Sequence, residues 1–160
     1  MKQHMVIDSP YGPLTLVADD GALCGLYMVG QRHRPPEETF GEPDEEPFGE
    51  TIEQLRAYFE GELKDFTLEL CLAGTPFQRK VWEQLRLIPY GETRSYGELA
   101  DALGNPGASR AVGLANGRNP IGIIVPCHRV VGANGSLTGY GGGLDRKKRL
   151  LDFESSAALF

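Results

Sequence analysis

The chain changes character at Gly74, and that break constrains the fold more than any other feature. Before it, short apolar runs at 5–7, 14–17 and 22–29 are separated by Ser9-Pro10-Tyr11-Gly12-Pro13 and Asp19-Asp20-Gly21. Turn residues punctuating period-two runs in this way predict a small antiparallel sheet. Residues 31–49 are rich in proline and acid, show no usable periodicity, and read as a surface loop. From 50 to 60, Ile52, Leu55, Tyr58 and Phe59 share one helical stripe that Gly61 ends. Phe66, Leu68 and Leu70 then alternate as a strand. Residues 1–73 are thus expected to form an α/β domain.

Helix-starting signals dominate the rest, residues 74–160. Thr75-Pro76-Phe77-Gln78 places proline at a first helical position and glutamine where it completes a capping box. Phe77, Val81, Trp82 and Leu85 form the buried stripe of that helix. Ser95-Tyr96-Gly97-Glu98 has the spacing of a second capping box, and the helix it opens runs to Gly104. Asn105-Pro106 caps a third helix over 107–116. Two short helices joined by a Gly-Asn turn are a helix-turn-helix candidate, although many such hairpins bind nothing. The third helix, GASRAVGLANG, presents Ala108, Ser109, Ala111 and Gly113 around one long polar side chain, Arg110, with Arg118 just beyond. A major-groove reader needs several long polar side chains. This surface suits a narrow groove or close helix packing, and composition favours packing.

Charge is divided in the same place. The net charge is -6. Residues 1–75 hold 5 Lys/Arg against 15 Asp/Glu, and residues 76–150 hold 11 against 5. A basic half could face a polyanion while the acidic half repels it, or each could merely be solvated. The run Arg146-Lys147-Lys148-Arg149 reads as a phosphate contact in preference to a solvated helix face. No apolar run is long enough to span a membrane, and the amino terminus lacks a secretory core. Cys24, Cys71 and Cys127 cannot all pair within the chain, which places the protein in the reducing cytoplasm. Cys24, Cys71, His4 and His33 have no metal-ligand spacing, so no metal is expected.

The most informative stretch is the apolar run 121–126 ending at Pro126, followed by Cys127-His128-Arg129. It reads as a strand that carries a cysteine into the interior beside a histidine. A thiol is a strong nucleophile only as thiolate, so a neighbouring base matters. Consecutive side chains of a strand point opposite ways, so the pair needs a bend or an intervening water to exchange a proton. By itself the pair also fits a buried structural cysteine beside a surface histidine.

The motifs together say more. Pro126-Cys127-His128-Arg129-Val130, preceded by Ser109-Arg110-Ala111-Val112-Gly113 and Arg118-Asn119-Pro120, closely resembles the O6-alkylguanine-DNA alkyltransferase family. The resemblance extends upstream through residues 89–100 and downstream through Gly139-Tyr140-Gly141-Gly142-Gly143-Leu144. It implies a ribonuclease-H-like amino-terminal domain and a mostly helical, winged helix-turn-helix-like carboxy-terminal domain. It further implies irreversible, once-only transfer of the alkyl group from O6-alkylguanine, with O4-alkylthymine a second candidate, to Cys127. In that likeness His128 is the base reached through a water, Glu154 orients it, and Asn119 braces the turns around the site. The Tyr96 hydroxyl meets the leaving base, and Gly141 and Val130 contact it through their backbones. Arg110 fills the stack after the nucleotide is flipped from double-stranded DNA approached through the minor groove. Many relatives carry serine at the Gly141 position. The implied protein is monomeric and needs no cofactor, because the acceptor is the chain itself. A non-catalytic lesion sensor would lack the thiol, and a thiol redox enzyme would show Cys-x-x-Cys.

Overall fold

The computed structural model describes residues 1–138 and 140–158; Gly139, which opens the glycine-rich motif, and Leu159 and Phe160 lie outside them. Three strands, β1 (Lys2–Ile7), β2 (Leu14–Asp19) and β3 (Ala22–Met28), form an antiparallel meander. A two-residue strand, β4 (Glu42–Pro43), joins in parallel beside β1, giving the order β3-β2-β1-β4. Gly41 makes that approach possible. It has φ +79°, and a Cβ there would fall 1.9 Å from the Lys2 carbonyl oxygen.

Helix α1 (Gly49–Phe59) follows, and Thr51, Gln54, Leu55 and Tyr58 are its buried residues. Strand β2 is buried on both faces. Leu14, Leu16 and Ala18 belong to the main core, whereas Val17 packs with Tyr27 and Phe40 in a second cluster. Residues 31–49 supply that second cover. They hold two 3-10 turns besides β4, and they bury Phe40 and Phe48. Arg34 donates to the Thr15 hydroxyl at 3.2 Å and lies over the Phe40 ring. The expected surface loop is therefore a packed cap on the sheet, anchored by its two phenylalanines.

The strand expected at 66–70 is reduced to one parallel bridge, Leu23↔Leu70. Its backbone is diverted, since the Thr67 amide donates to the Gln54 side chain at 2.9 Å rather than to a neighbouring strand.

The second unit opens with α2 (Pro76–Arg86), closed by the Thr75–Gln78 capping box. Gly74 is needed just before it, because a Cβ there would meet the Trp82 ring at 2.5 Å. Strand β5 (Arg94–Ser95) leads into α3 (Tyr96–Ala102), which starts at the expected Ser95–Glu98 capping box. The third helix begins as a 3-10 turn at Pro106–Ala108 and continues as α4 (Ser109–Gly117). The Trp82 indole donates to the Ala115 carbonyl at 2.9 Å and ties α2 to α4. Strand β6 (Val130–Val131) pairs in parallel with β5, and α5 (Leu144–Ala158) closes the chain. Among the described residues no helix is long and apolar enough to cross a membrane.

Candidate active site

The apolar run before Cys127 is wholly buried, but it is not the expected strand. After one bridge at Leu26↔Ile121 it turns twice. The Ile124 amide donates to the Gly122 carbonyl at 2.8 Å, with Ile123 held at φ +70°. That value is an outlier for a β-branched residue. The Cys127 amide donates to the Val125 carbonyl at 2.8 Å around Pro126. Asn119 supports both turns. Its amide donates to the Val125 carbonyl at 2.8 Å, and its carbonyl oxygen accepts from the Ile121 amide at 3.0 Å. Residues 127–129 then form a 3-10 turn, which supplies the bend the Cys-His pair required.

That turn directs His128 and Arg129 onto Glu154 of α5. His128 Nε2 lies 2.9 Å from Glu154 Oε2. Arg129 donates through Nε to Oε1 and through Nη2 to Oε2, each at 2.9 Å, and through Nη1 to the Ile88 carbonyl at 2.7 Å. Tyr58 of α1 donates its hydroxyl to Glu154 Oε2 at 2.6 Å. The carboxylate thus accepts four bonds while only 1% exposed. Burial alone would raise its pKa, but the His128 and Arg129 partners outweigh burial and hold it at about 2. Burial lowers the His128 pKa, opposed by Glu154, so the ring is neutral near pH 7. An ionised Glu154 can only accept, so the ring proton sits on Nε2. Nδ1 is then a lone-pair acceptor, buried and without a hydrogen-bond partner among the described residues.

Burial pushes the Cys127 thiol above its ordinary pKa, against Asn119 and the Lys147 charge, which pull it down. The resting sulfur is therefore protonated and needs a base. It lines a cavity of about 10 Å³ with Gln31, Asn116, Asn119, Tyr140 and Gly141. That is room for about one water. The Arg32 amide donates to the Gly141 carbonyl at 2.8 Å, so the amino-terminal domain helps close this mouth. A Cβ at Gly141 would meet only ordinary contacts, the nearest at 3.5 Å, so serine at this position would fit.

Tyr96 stands at the start of α3 and donates its hydroxyl to the Thr138 carbonyl at 3.2 Å. Val130 is fully buried, and its pairing with Arg94 brings the two segments together. The structure therefore gathers Cys127, His128, Asn119 and Glu154 into one buried cluster, with Tyr96, Val130 and Gly141 around it. Arg110, Ala111 and Arg118 are exposed on or just past α4, and Ser109 and Gly113 are half-buried. Ala108 is the exception. It is buried in the core, so any contact from it would be through its backbone.

Sequence reasoning missed three residues here. Tyr58 was read as core, Arg129 as part of a motif without a role, and Leu114, 70% exposed one turn from Arg110, was not singled out. It also misplaced the basic run. Lys147 is fully buried, and Arg146 donates to the Val29 and Gly142 carbonyls. Arg149 donates to the Pro10 carbonyl, and Lys148 pairs with Asp152. The run braces the two units against each other instead of presenting a free phosphate contact.

Comparison with known proteins agrees with this architecture. Residues 76–156 match the family described as 6-O-methylguanine DNA methyltransferase, DNA binding domain, and residues 3–72 match its ribonuclease-like domain. A methylated-DNA–protein-cysteine methyltransferase of Mycobacterium tuberculosis is 58% identical over 158 residues, covering 99% of this chain and 95% of the relative. The protein of that name in Methanosarcina acetivorans is 54% identical, covering 96% and 98%. The solved structure of Mycobacterium tuberculosis OGT in complex with DNA superposes with a TM-score of 0.93 at 57% identity, covering 97% of this chain and 94% of that one. With both halves matched in order and a 58% identical relative covering 99% of its length, the chain belongs to the 6-O-methylguanine DNA methyltransferase family.

Proposed function

We propose that the protein is a methylated-DNA–protein-cysteine methyltransferase that repairs O6-alkylguanine in duplex DNA by direct reversal, with Cys127 as its single-use acceptor. The observation that carries this reading is the lone pair on His128 Nδ1. It is buried and has no hydrogen-bond partner among the described residues, and the preceding residue in the chain is a buried, protonated thiol. A water between sulfur and Nδ1 would take the thiol proton and pass it to the ring, and Glu154 would steady the imidazolium. The sulfur pair then forms the S–C bond to the alkyl carbon as the C–O6 bond breaks. The electrons of that bond leave with guanine, whose charge the Tyr96 hydroxyl meets. The reaction consumes the thiol, so each molecule acts once.

The cavity of about 10 Å³ beside Cys127 is too small for a purine, so the Tyr96–Thr138 and Arg32–Gly141 bonds at its rim would have to open for a base to enter. Helix α4 would enter the minor groove, with Arg110 taking the place of the flipped nucleotide. In this reading residues 74–160 bind DNA and carry the chemistry, residues 1–73 brace Glu154 through Tyr58, and the protein works as a cytoplasmic monomer. Intact mass spectrometry after incubation with an O6-methylguanine duplex should show one added methyl group per molecule, located on Cys127. Cys127→Ala should abolish transfer and still bind DNA. A methyl group on Cys24 or Cys71, or repeated turnover, would contradict the proposal.

A further inference from the structure

Away from the active site, the two other cysteines meet on one face of the amino-terminal sheet. The Leu23 amide donates to the Glu69 carbonyl at 3.1 Å, and the Cys71 amide donates to the Leu23 carbonyl at 2.8 Å. These bonds make the parallel bridge Leu23↔Leu70, so the next residues in register are Cys24 and Cys71. Leu23 and Leu70 both pack on the main core. Alternation sends the following side chains to the opposite face, where Cys24 packs with Val17, Tyr27 and Phe40. Cys24 and Cys71 there line one surface cavity of about 250 Å³.

Adjacent strands lie about 4.8 Å apart, whereas a disulfide brings its Cβ atoms to about 3.8 Å, so joining these thiols requires an approach of about 1 Å. Two features allow that movement. The β2–β3 register shifts between Val17 and Ala18, which leaves Cys24 on a β-bulge without a β2 partner. Cys71 is exposed, and its amide makes the last backbone hydrogen bond, among the described residues, before the Thr75 cap.

We propose that Cys24 and Cys71 form a reversible disulfide, a redox site separate from the acceptor, that is oxidised by low-molecular-weight disulfides. The exposed Cys71 reacts first. Its thiolate attacks one sulfur of the small disulfide, whose S–S bond breaks to release one thiol and leave a mixed disulfide on Cys71. The Cys24 thiolate then attacks the Cys71 sulfur and expels the second thiol. The two departing thiolates take up the protons that Cys71 and Cys24 lose. Two protein thiols are thereby oxidised and one small disulfide is reduced. Burial pushes the Cys24 thiol up, which suits it to the second, intramolecular step. The approach of about 1 Å strains the bond and makes it easy to reduce, as befits a link that opens and closes. Once closed, it pins the connector to β3, whose Leu26 amide donates to the Pro120 carbonyl of the second unit at 2.9 Å. The joint between the units is thus stiffened. Cys127, buried beside a cavity of about 10 Å³, is out of reach of the same oxidant.

The test incubates the native protein with oxidised glutathione and maps its peptides without reduction. Wild type should lose two hydrogen atoms, yield a linked pair of peptides carrying Cys24 and Cys71, and keep Cys127 as a thiol. The Tm of the linked form should rise by roughly 5 °C, and reduced glutathione should restore both mass and Tm. Cys24→Ser should stop at a stable glutathione adduct on Cys71, and Cys71→Ser should take up little or none. Should either variant fail to fold, the wild-type map decides. A lasting adduct on Cys71 beside a free Cys24, or a link to Cys127 or to a second molecule, would overturn the pair. A link that resists reduced glutathione would refute its reversibility, and a linked form with unchanged Tm would refute the stiffening.

Discussion

Glu154 and Arg110 represent two regions built on opposite terms. Glu154 is 1% exposed and accepts four hydrogen bonds from three side chains, one of them 96 residues away. Arg110, on the outer face of α4, is exposed and makes no hydrogen bond among the described residues. The buried cluster fixes a tautomer, and for that it must be rigid before any substrate arrives. In the proposed function the α4 face leaves its one long polar side chain free until DNA supplies the partners. A change in the cluster should therefore affect folding and every substrate, whereas a change on α4 should affect only substrates that must be extracted from a duplex.

The largest expected effect tests the first half of that contrast. Glu154→Ala leaves Arg129 as an uncompensated buried cation and should cost about 3–5 kcal/mol of stability. Reaction with a methylated duplex and with free O6-benzylguanine should slow together. Denaturant unfolding and both rates are the measurements. A variant that lost only duplex repair would dissolve the distinction between the regions.

The same cluster sets the acid limit. In the unfolded chain Glu154 titrates near 4.5 and in the folded protein near 2, so its stabilisation is complete above 4.5 and lost as pH falls toward 2. His128 is held below 6.5 by burial, so the unfolded chain takes that proton first and stability also falls as pH drops below 6.5. Thermal unfolding should show Tm declining from about pH 6.5 downward and more steeply below 4.5. Glu154→Gln should flatten the lower part of that curve. An unaltered curve would mean that another group sets the limit.

How legible the molecule was in its sequence divides along a similar line. Both capping boxes appeared where Thr75 and Ser95 predict them, because a cap is decided within four residues. The two domain types and the buried Cys127 followed from local motifs as well. What escaped depends on distant or two-sided packing. The 121–126 run is buried throughout, so periodicity could not tell a strand from the turns that Asn119 and Pro126 impose. Tyr58 looked like any core aromatic, since nothing local shows a hydroxyl reaching α5. Lys147 was hidden by its charged neighbours. The available signal was its spacing from Leu150 and Glu154, which puts all three on one face.

Arg110→Ala tests the other region. An extruded nucleotide leaves a gap in the stack that costs a few kcal/mol, and a long cationic side chain can fill it. The ratio of duplex rate to free-base rate should fall by at least about tenfold, since each ~1.4 kcal/mol of that loss left uncompensated is a factor of ten in rate. The free-base rate and the Tm should stay near wild type. If both rates fall equally with the fold intact, Arg110 supports the buried site, and the two regions are not separable.

The smallest effect concerns which cations meet phosphate. Arg118 follows α4, is exposed, and forms no ion pair among the described residues, so its charge is free to displace a counter-ion from DNA. Lys148 is equally exposed but already holds Asp152 at 2.6 Å, and it lies on α5 within the run that braces the two domains. Each phosphate neutralised adds about 0.9 to the slope of log affinity against log salt. Arg118→Ala should therefore reduce that slope by about one and weaken duplex binding only several-fold at moderate salt. Lys148→Ala should leave the slope within error, and neither change should alter the reaction with free O6-benzylguanine. Fluorescence anisotropy across a salt series measures the slopes directly. A loss of slope in Lys148→Ala but not in Arg118→Ala would move the DNA contact from the end of α4 to α5 and reverse the reading of the basic run.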